Sequence, residues 1–171
     1  MLLLKLLAGT PCGQWLGLLS CERHAPGVGE QLAEDMQRDP TGCRASETLR
    51  ASFGVKSPQT ILKRAACLGR YFKWHTKWRS DATQAITSPL PLTEHDVWEF
   101  FAWLRDCRRS TGRGYTNAAT LLETVRFAEF TLNLKQTEVI LESRRLLGFA
   151  AIERLNQGSY PTGASIGLGT S

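Results

Sequence analysis

The sequence predicts an all-α fold, and three observations carry that prediction. Apolar residues recur at helical spacing in four stretches between residues 57 and 157, each bounded by turn residues. No stretch shows the strict apolar–polar alternation of a half-buried strand. The 171 residues are 42% hydrophobic and include five Trp and seven Phe, enough to fill one helical core but hardly two.

The first helix opens at Ser57, an N-cap followed by Pro58 at the first helical position, and is expected to run to about Trp78. The polar, proline-containing loop RSDATQAITSPLP follows it. Thr93-Glu94-His95-Asp96 is a capping-box-like start for the second helix. Its first turn is acidic and Arg105, Arg108 and Arg109 lie near its end, which matches the helix dipole. After CRRSTGRG, Thr116 can cap a third helix through about Leu134, with Leu122, Val125, Ala128 and Leu132 in phase. A fourth helix, from about Thr137 to Arg154, is expected to bury Ile140, Leu147 and Ile152.

These helices define an expected domain at 56–157. Residues 22–55 are rich in Gly, Glu, Gln and Arg with little apolar repeat, so 1–55 is expected to be a low-order amino-terminal region. The tail 158–171, Gly- and Ser-rich, is expected to be flexible. In the apolar leader MLLLKLLAGTPCGQWLGLLSC, Lys5, Pro11 and Gly13 break the run and no basic segment precedes it. It reads as a disordered or mis-started leader rather than a secretory signal, and no segment approaches the roughly 18 uninterrupted apolar residues of a membrane span. Cys12, Cys21, Cys43, Cys67 and Cys107 are odd in number, with no C-x-x-C pair, so neither a disulfide framework nor a zinc finger is expected. Cys67 and Cys107 read as small apolar residues in a reducing compartment.

Charge is unevenly distributed. Residues 1–55 carry five basic and six acidic side chains and 158–171 carry none, leaving 16 basic and 10 acidic in the helical segment. Thr48 to Ser80 holds no acid, while Arg50, Lys56, Lys63, Arg64, Arg70, Lys73, Lys77 and Arg79 accumulate there. At roughly 100° per residue Lys63, Arg70, Lys73 and Lys77 share an arc of about 80°. A solvated flank of an ordinary bundle helix and a phosphate-contacting face fit this stripe equally well. On the same wheel Ile61, Ala65, Leu68 and Phe72 form one apolar face, and Cys67, Tyr71, Trp74 and Trp78 another. The aromatics read as core before they read as base-stacking platforms. A second basic cluster, Arg105, Arg108, Arg109 and Arg113, precedes Thr116, Asn117 and Thr120. A helix N-terminus offers free N–H groups to phosphate, and Asn and Thr can reach base edges, although simple capping accounts for Thr116 equally well.

No catalytic constellation is legible. His24, His75 and His95 lack metal-ligand spacing, no Ser or Cys nucleophile signature occurs, and GRG lacks the Lys-Ser/Thr of a phosphate-binding loop. No cofactor and no small-molecule substrate are expected.

Residues 57–157 resemble the amino-terminal core-binding, SAM-like domain of tyrosine recombinases, the phage integrase and Cre group. The carriers are SPQTILKRAACLGRYFKWHTKW, PLTEHDVWEFFAWLRD, GRGYTNAATLLETVRFAEFTLNL and TEVILESRRLLGFAAIERL, in that order. The resemblance implies a four-helix domain whose first and third helices cross the major groove. By position it implies DNA contacts from Lys63, Arg64 and Arg70, with Lys73 and Lys77 on the same stripe, and from Thr116, Asn117 and Thr120, with Arg113 beside them. It also implies that Arg144 and Arg145 on the closing helix serve DNA or a neighbouring protomer. Relatives continue into a catalytic domain with an H-x-x-R motif and an active Tyr, whereas this sequence has no H-x-x-R, and Tyr160 lies in the tail without such partners. The expectation is a double-stranded DNA-binding module without strand-exchange chemistry, intracellular and not membrane-bound. Its rival is a helical protein-interaction domain that exposes Tyr71, Trp74 and Trp78.

Overall fold

The computed structural model describes residues 10–20, 28–39, 41–79, 89–111, 118–132 and 138–157. All regular structure in them is helical: α1 (Pro11–Ser20), α2 (Val28–Arg38), α3 (Cys43–Phe53), α4 (Pro58–Trp74), α5 (Glu94–Thr111), α6 (Ala118–Leu132), α7 (Glu138–Glu142) and α8 (Arg144–Gln157). The all-α prediction holds.

The predicted caps of α4 and α5 form. Ser57 is extended, and its hydroxyl accepts a hydrogen bond from the Thr60 amide at 3.2 Å, with Pro58 at N1. Thr93 Oγ1 accepts from the Asp96 amide at 3.1 Å and donates to Asp96 Oδ2 at 2.7 Å. The α-helix of α4 ends at Trp74, four residues earlier than expected, and His75–Arg79 continue it as a wider π-helical turn.

The low-order expectation for 1–55 is corrected for residues 10–20, 28–39 and 41–55, where α1, α2 and α3 complete the core, and its remainder lies outside the described residues. Trp15, Leu16 and Leu19 of α1, Leu32 of α2, and Ala45, Leu49 and Phe53 of α3 are all buried. At about 1.5–3 kcal/mol per large apolar side chain withdrawn from water, these helices contribute to the fold on the same scale as the four that were predicted. Trp15 packs at a tilt against Phe53 (6.2 Å) and Phe127 (5.8 Å), which stack on each other, and the trio joins α1, α3 and α6. Its indole Nε1 donates to the Ile61 carbonyl of α4 at 3.1 Å. Asp39 organises the start of α3: it accepts from the backbone N–H and the hydroxyl of Thr41 and from the Arg44 amide at 3.3 Å. Gly42, at the N-cap, takes a left-handed φ of 77° that a Cβ would resist.

A second aromatic layer joins α4 to α5: Phe100 lies 5.4 Å from Tyr71, 5.3 Å from Trp74 and 5.6 Å from Trp103. A third joins α5 to α8, where Phe149 meets Trp98 and Phe101, each at 5.4 Å.

The closing helix departs from its expectation. It breaks at Ser143, whose hydroxyl accepts from the Leu146 amide at 3.2 Å, capping α8, and donates to Glu94 Oε1 at 2.8 Å. The break resets the helical phase, so Leu146 and Ala150 turn inward with Ile140, while Leu147 and Ile152 are exposed. Among the described residues no helix is long and apolar enough to cross a membrane.

Candidate nucleic-acid interface

The outward face of α4 follows from its inward one. Ile61, Ala65, Leu68 and Phe72, the first predicted apolar seam, are buried, as are Cys67, Tyr71 and Trp74 of the second, whose fourth member, the Trp78 side chain, lies outside those described. What remains for solvent is the sector holding Gln59, Lys63, Ala66 and Lys73, with Lys77 exposed on the π-helical turn and Arg70 half-buried between them. Lys63 and Lys73 pair with no carboxylate among the described residues. Lys63 also borders an open hollow of about 520 Å³, lined by Gln14 of α1 and by Gln59, Thr60, Leu62 and Ala66 of α4. At about 1.5 Å rise per residue, Lys63 and Lys73 stand roughly 15 Å apart along the helix, about four base-pair steps of a duplex.

Arg64 does not belong to this face. Its Nη2 lies 2.8 Å from Glu123 Oε2 on α6, its side chain is only 16% exposed, and Arg154 of α8 approaches the other Glu123 oxygen at 3.7 Å. Arg64 therefore holds α4 to α6 and is withdrawn from the set expected to contact DNA. The angular position that placed it beside the stripe also turned it toward α6, because at 100° from Lys63 it sits on the border between surface and packing seam.

At the second cluster, α6 is described from Ala118 onward, and its expected cap, Thr116, lies outside the described residues. The backbone amide of Ala118 donates to Glu153 Oε2 at 3.0 Å, and Glu153 Oε1 lies 3.6 Å from Arg108 Nη1. The positive end of α6 thus already carries a carboxylate from α8. Thr120 is half-buried, and its carbonyl accepts from Thr124 Oγ1 at 2.7 Å. Arg113, Thr116 and Asn117 lie outside the described residues. Arg105 approaches Asp106 at 3.6 Å, and Arg145 places its guanidinium 3.7 Å from the centre of the Trp98 ring. Glu153 was missed in sequence because it comes from 35 residues downstream, and no local pattern marks a capping carboxylate supplied by another helix.

Of the rival surface, Tyr71 is fully buried and Trp74 is 6% exposed, and the Trp78 side chain lies outside those described. His75 is buried, with Nε2 4.0 Å from Asp96 Oδ2, an arrangement that ties the π-helical turn to α5. His95 is exposed. Burial pushes the Cys67 thiol up from its ordinary range, against the opposing hydrogen bond with Thr124 and the nearby cations Arg70, Arg64 and Lys63. The described residues contain no group of three or more His, Cys, Asp or Glu that could hold a metal ion. The candidate interface is therefore a surface of Lys63, Lys73 and Lys77 flanked by Arg70, and comparison with known families, curated proteins and solved structures returns no match to this chain.

Proposed function

We propose that this chain is a duplex DNA-binding module whose α4 face tracks the phosphate backbone. The observation that carries the reading is the acid-free sector of α4, where Lys63 and Lys73 are exposed without carboxylate partners among the described residues and Lys77 extends the row. Such cations release condensed counterions when they neutralise phosphates, and phosphate contacts of this kind position a protein without reading sequence. The amides of Gln14 and Gln59 and the Thr60 hydroxyl beside Lys63 add neutral hydrogen-bonding groups to one end of the row. The tyrosine-recombinase resemblance supports the same helix as the DNA-facing element. In this reading the chain binds DNA and does not itself cut or join it.

Fluorescence anisotropy of the full chain with a labelled random duplex tests the proposal. Affinity should fall with salt at a log–log slope of about −3 to −4, as expected for four neutralised phosphates. No binding at low salt, or a slope near zero, would overturn it.

A further inference from the structure

We propose that the outward face of α8 is a docking surface for an acidic amphipathic helix of another protein. Leu147, Gly148, Ala151, Ile152 and Leu155 recur at i, i+1, i+4, i+5 and i+8 and are all exposed, Ile152 by 62% and Leu155 by 74%. The opposite side of the same helix buries Leu146 and Ala150 in the core. A helix apolar on both faces is built to be covered on both, and a contiguous apolar stripe differs in kind from a scattered exposed leucine.

Charge identifies the occupant. The basic side chains of α8, Arg144, Arg145 and Arg154, lie within or beside the stripe: Arg144 is exposed, the Arg154 side chain is 67% exposed while its Nη2 lies 3.7 Å from Glu123 Oε1, and Arg145 is anchored over Trp98. The one acid of α8, Glu153, points inward to the Ala118 amide and Arg108. A second copy docking face to face would set arginines against arginines with no outward carboxylate on α8 to offset them. A helix with Leu or Ile at i, i+3/i+4 and i+7 and Glu or Asp along its flanks would cover the stripe and meet the arginines.

The test uses the full chain and two labelled synthetic 18-residue helices that share a leucine seam, one flanked by Glu and one by Lys. The Glu peptide should bind with a Kd of roughly tens of micromolar and the Lys peptide at least tenfold more weakly. I152E/L155E should remove binding, and R144E/R154E should reverse the preference between the peptides. K63E/K73E/K77E should leave Glu-peptide binding unchanged, which separates this surface from the basic face of α4. Equal binding of the two peptides, loss of binding in the α4 variant, no preference reversal, or a concentration-dependent dimer in sedimentation would each overturn the proposal.

Discussion

Glu153 caps α6 from across the molecule: its Oε2 accepts the Ala118 amide at 3.0 Å. A charged acceptor at a helix N-terminus satisfies an otherwise orphaned N–H and meets the positive end of the dipole. Glu153→Ala should lower stability by about 1–2 kcal/mol, a fall in Tm of roughly 2–8 °C, because it also releases Arg108. Glu153→Gln, which keeps an acceptor oxygen, should recover about half of that. Thermal denaturation followed by circular dichroism measures both, and duplex affinity should fall in neither variant, since this helix end is already occupied.

The α4 lysines and Arg64 should behave in opposite ways. Lys63→Glu, Lys73→Glu and Lys77→Glu together alter exposed positions, so Tm should move little while duplex affinity falls by about a hundredfold or more. Arg64→Glu places a second carboxylate against Glu123 in a half-buried site and should cost about 2–4 kcal/mol of stability. Anisotropy and thermal melts on the unaltered chain and these two variants separate a binding residue from a bracing one. A folded triple variant that retained full affinity would remove α4 from the interface.

What was legible in the sequence is what local physics writes there. Ser57-Pro58 and Thr93 through Asp96 are caps whose partners lie three residues away, and they formed as read. The helices of 1–55 were missed because their apolar seams are narrow: Ala45, Leu49 and Phe53 sit at single i, i+4 steps between polar residues. Trp15 needs Phe127 and Ile61, far away in sequence, to explain its burial. The phase of α8 was lost for a related reason, since Ser143 interrupts the helix through a hydrogen bond to Glu94, 49 residues upstream. Within the α4 face the lysines were readable from charge alone, whereas the withdrawal of Arg64 was not, because Glu123 lies on another helix.

The contribution of the amino-terminal helices can be measured directly. A fragment beginning at residue 56 loses Trp15, Leu16, Leu19, Leu49 and Phe53 from the core and should not fold cooperatively, giving a broad melt and dye-accessible apolar surface. In the full chain, Trp15→Phe keeps most of the apolar area but loses the donor to the Ile61 carbonyl. Its expected cost is about 1–2 kcal/mol, read from chemical denaturation.

Thiol chemistry should report the core from within. Burial raises the Cys67 thiol above its ordinary range, so little thiolate is present near neutral pH, and the sulfur is also out of reach. Cys43 is exposed at the start of α3. A disulfide-exchange reagent at pH 7.5 should modify Cys43 within minutes and Cys67 only at the rate at which the core opens, with denaturant abolishing the difference. Peptide mapping by mass spectrometry resolves the two sites.

Asp39 follows α2 and accepts hydrogen bonds from Thr41 and from the Arg44 amide at the start of α3. The Thr41 side chain and then its backbone N–H hold the Asp39 carboxyl below its ordinary range, with the Arg44 and Cys43 amides adding to the effect. A carboxyl depressed in the folded state binds its proton more weakly there than in the unfolded chain. Its stabilising effect is therefore complete above the ordinary carboxyl range and is lost as pH falls through the lowered folded value. Thr41→Val removes the hydroxyl donor, so the Asp39 titration should move up toward its ordinary position. Carboxyl carbon chemical shifts followed from pH 6 to pH 2 give that midpoint in both proteins, and an unmoved midpoint would show that the backbone amides alone hold the charge.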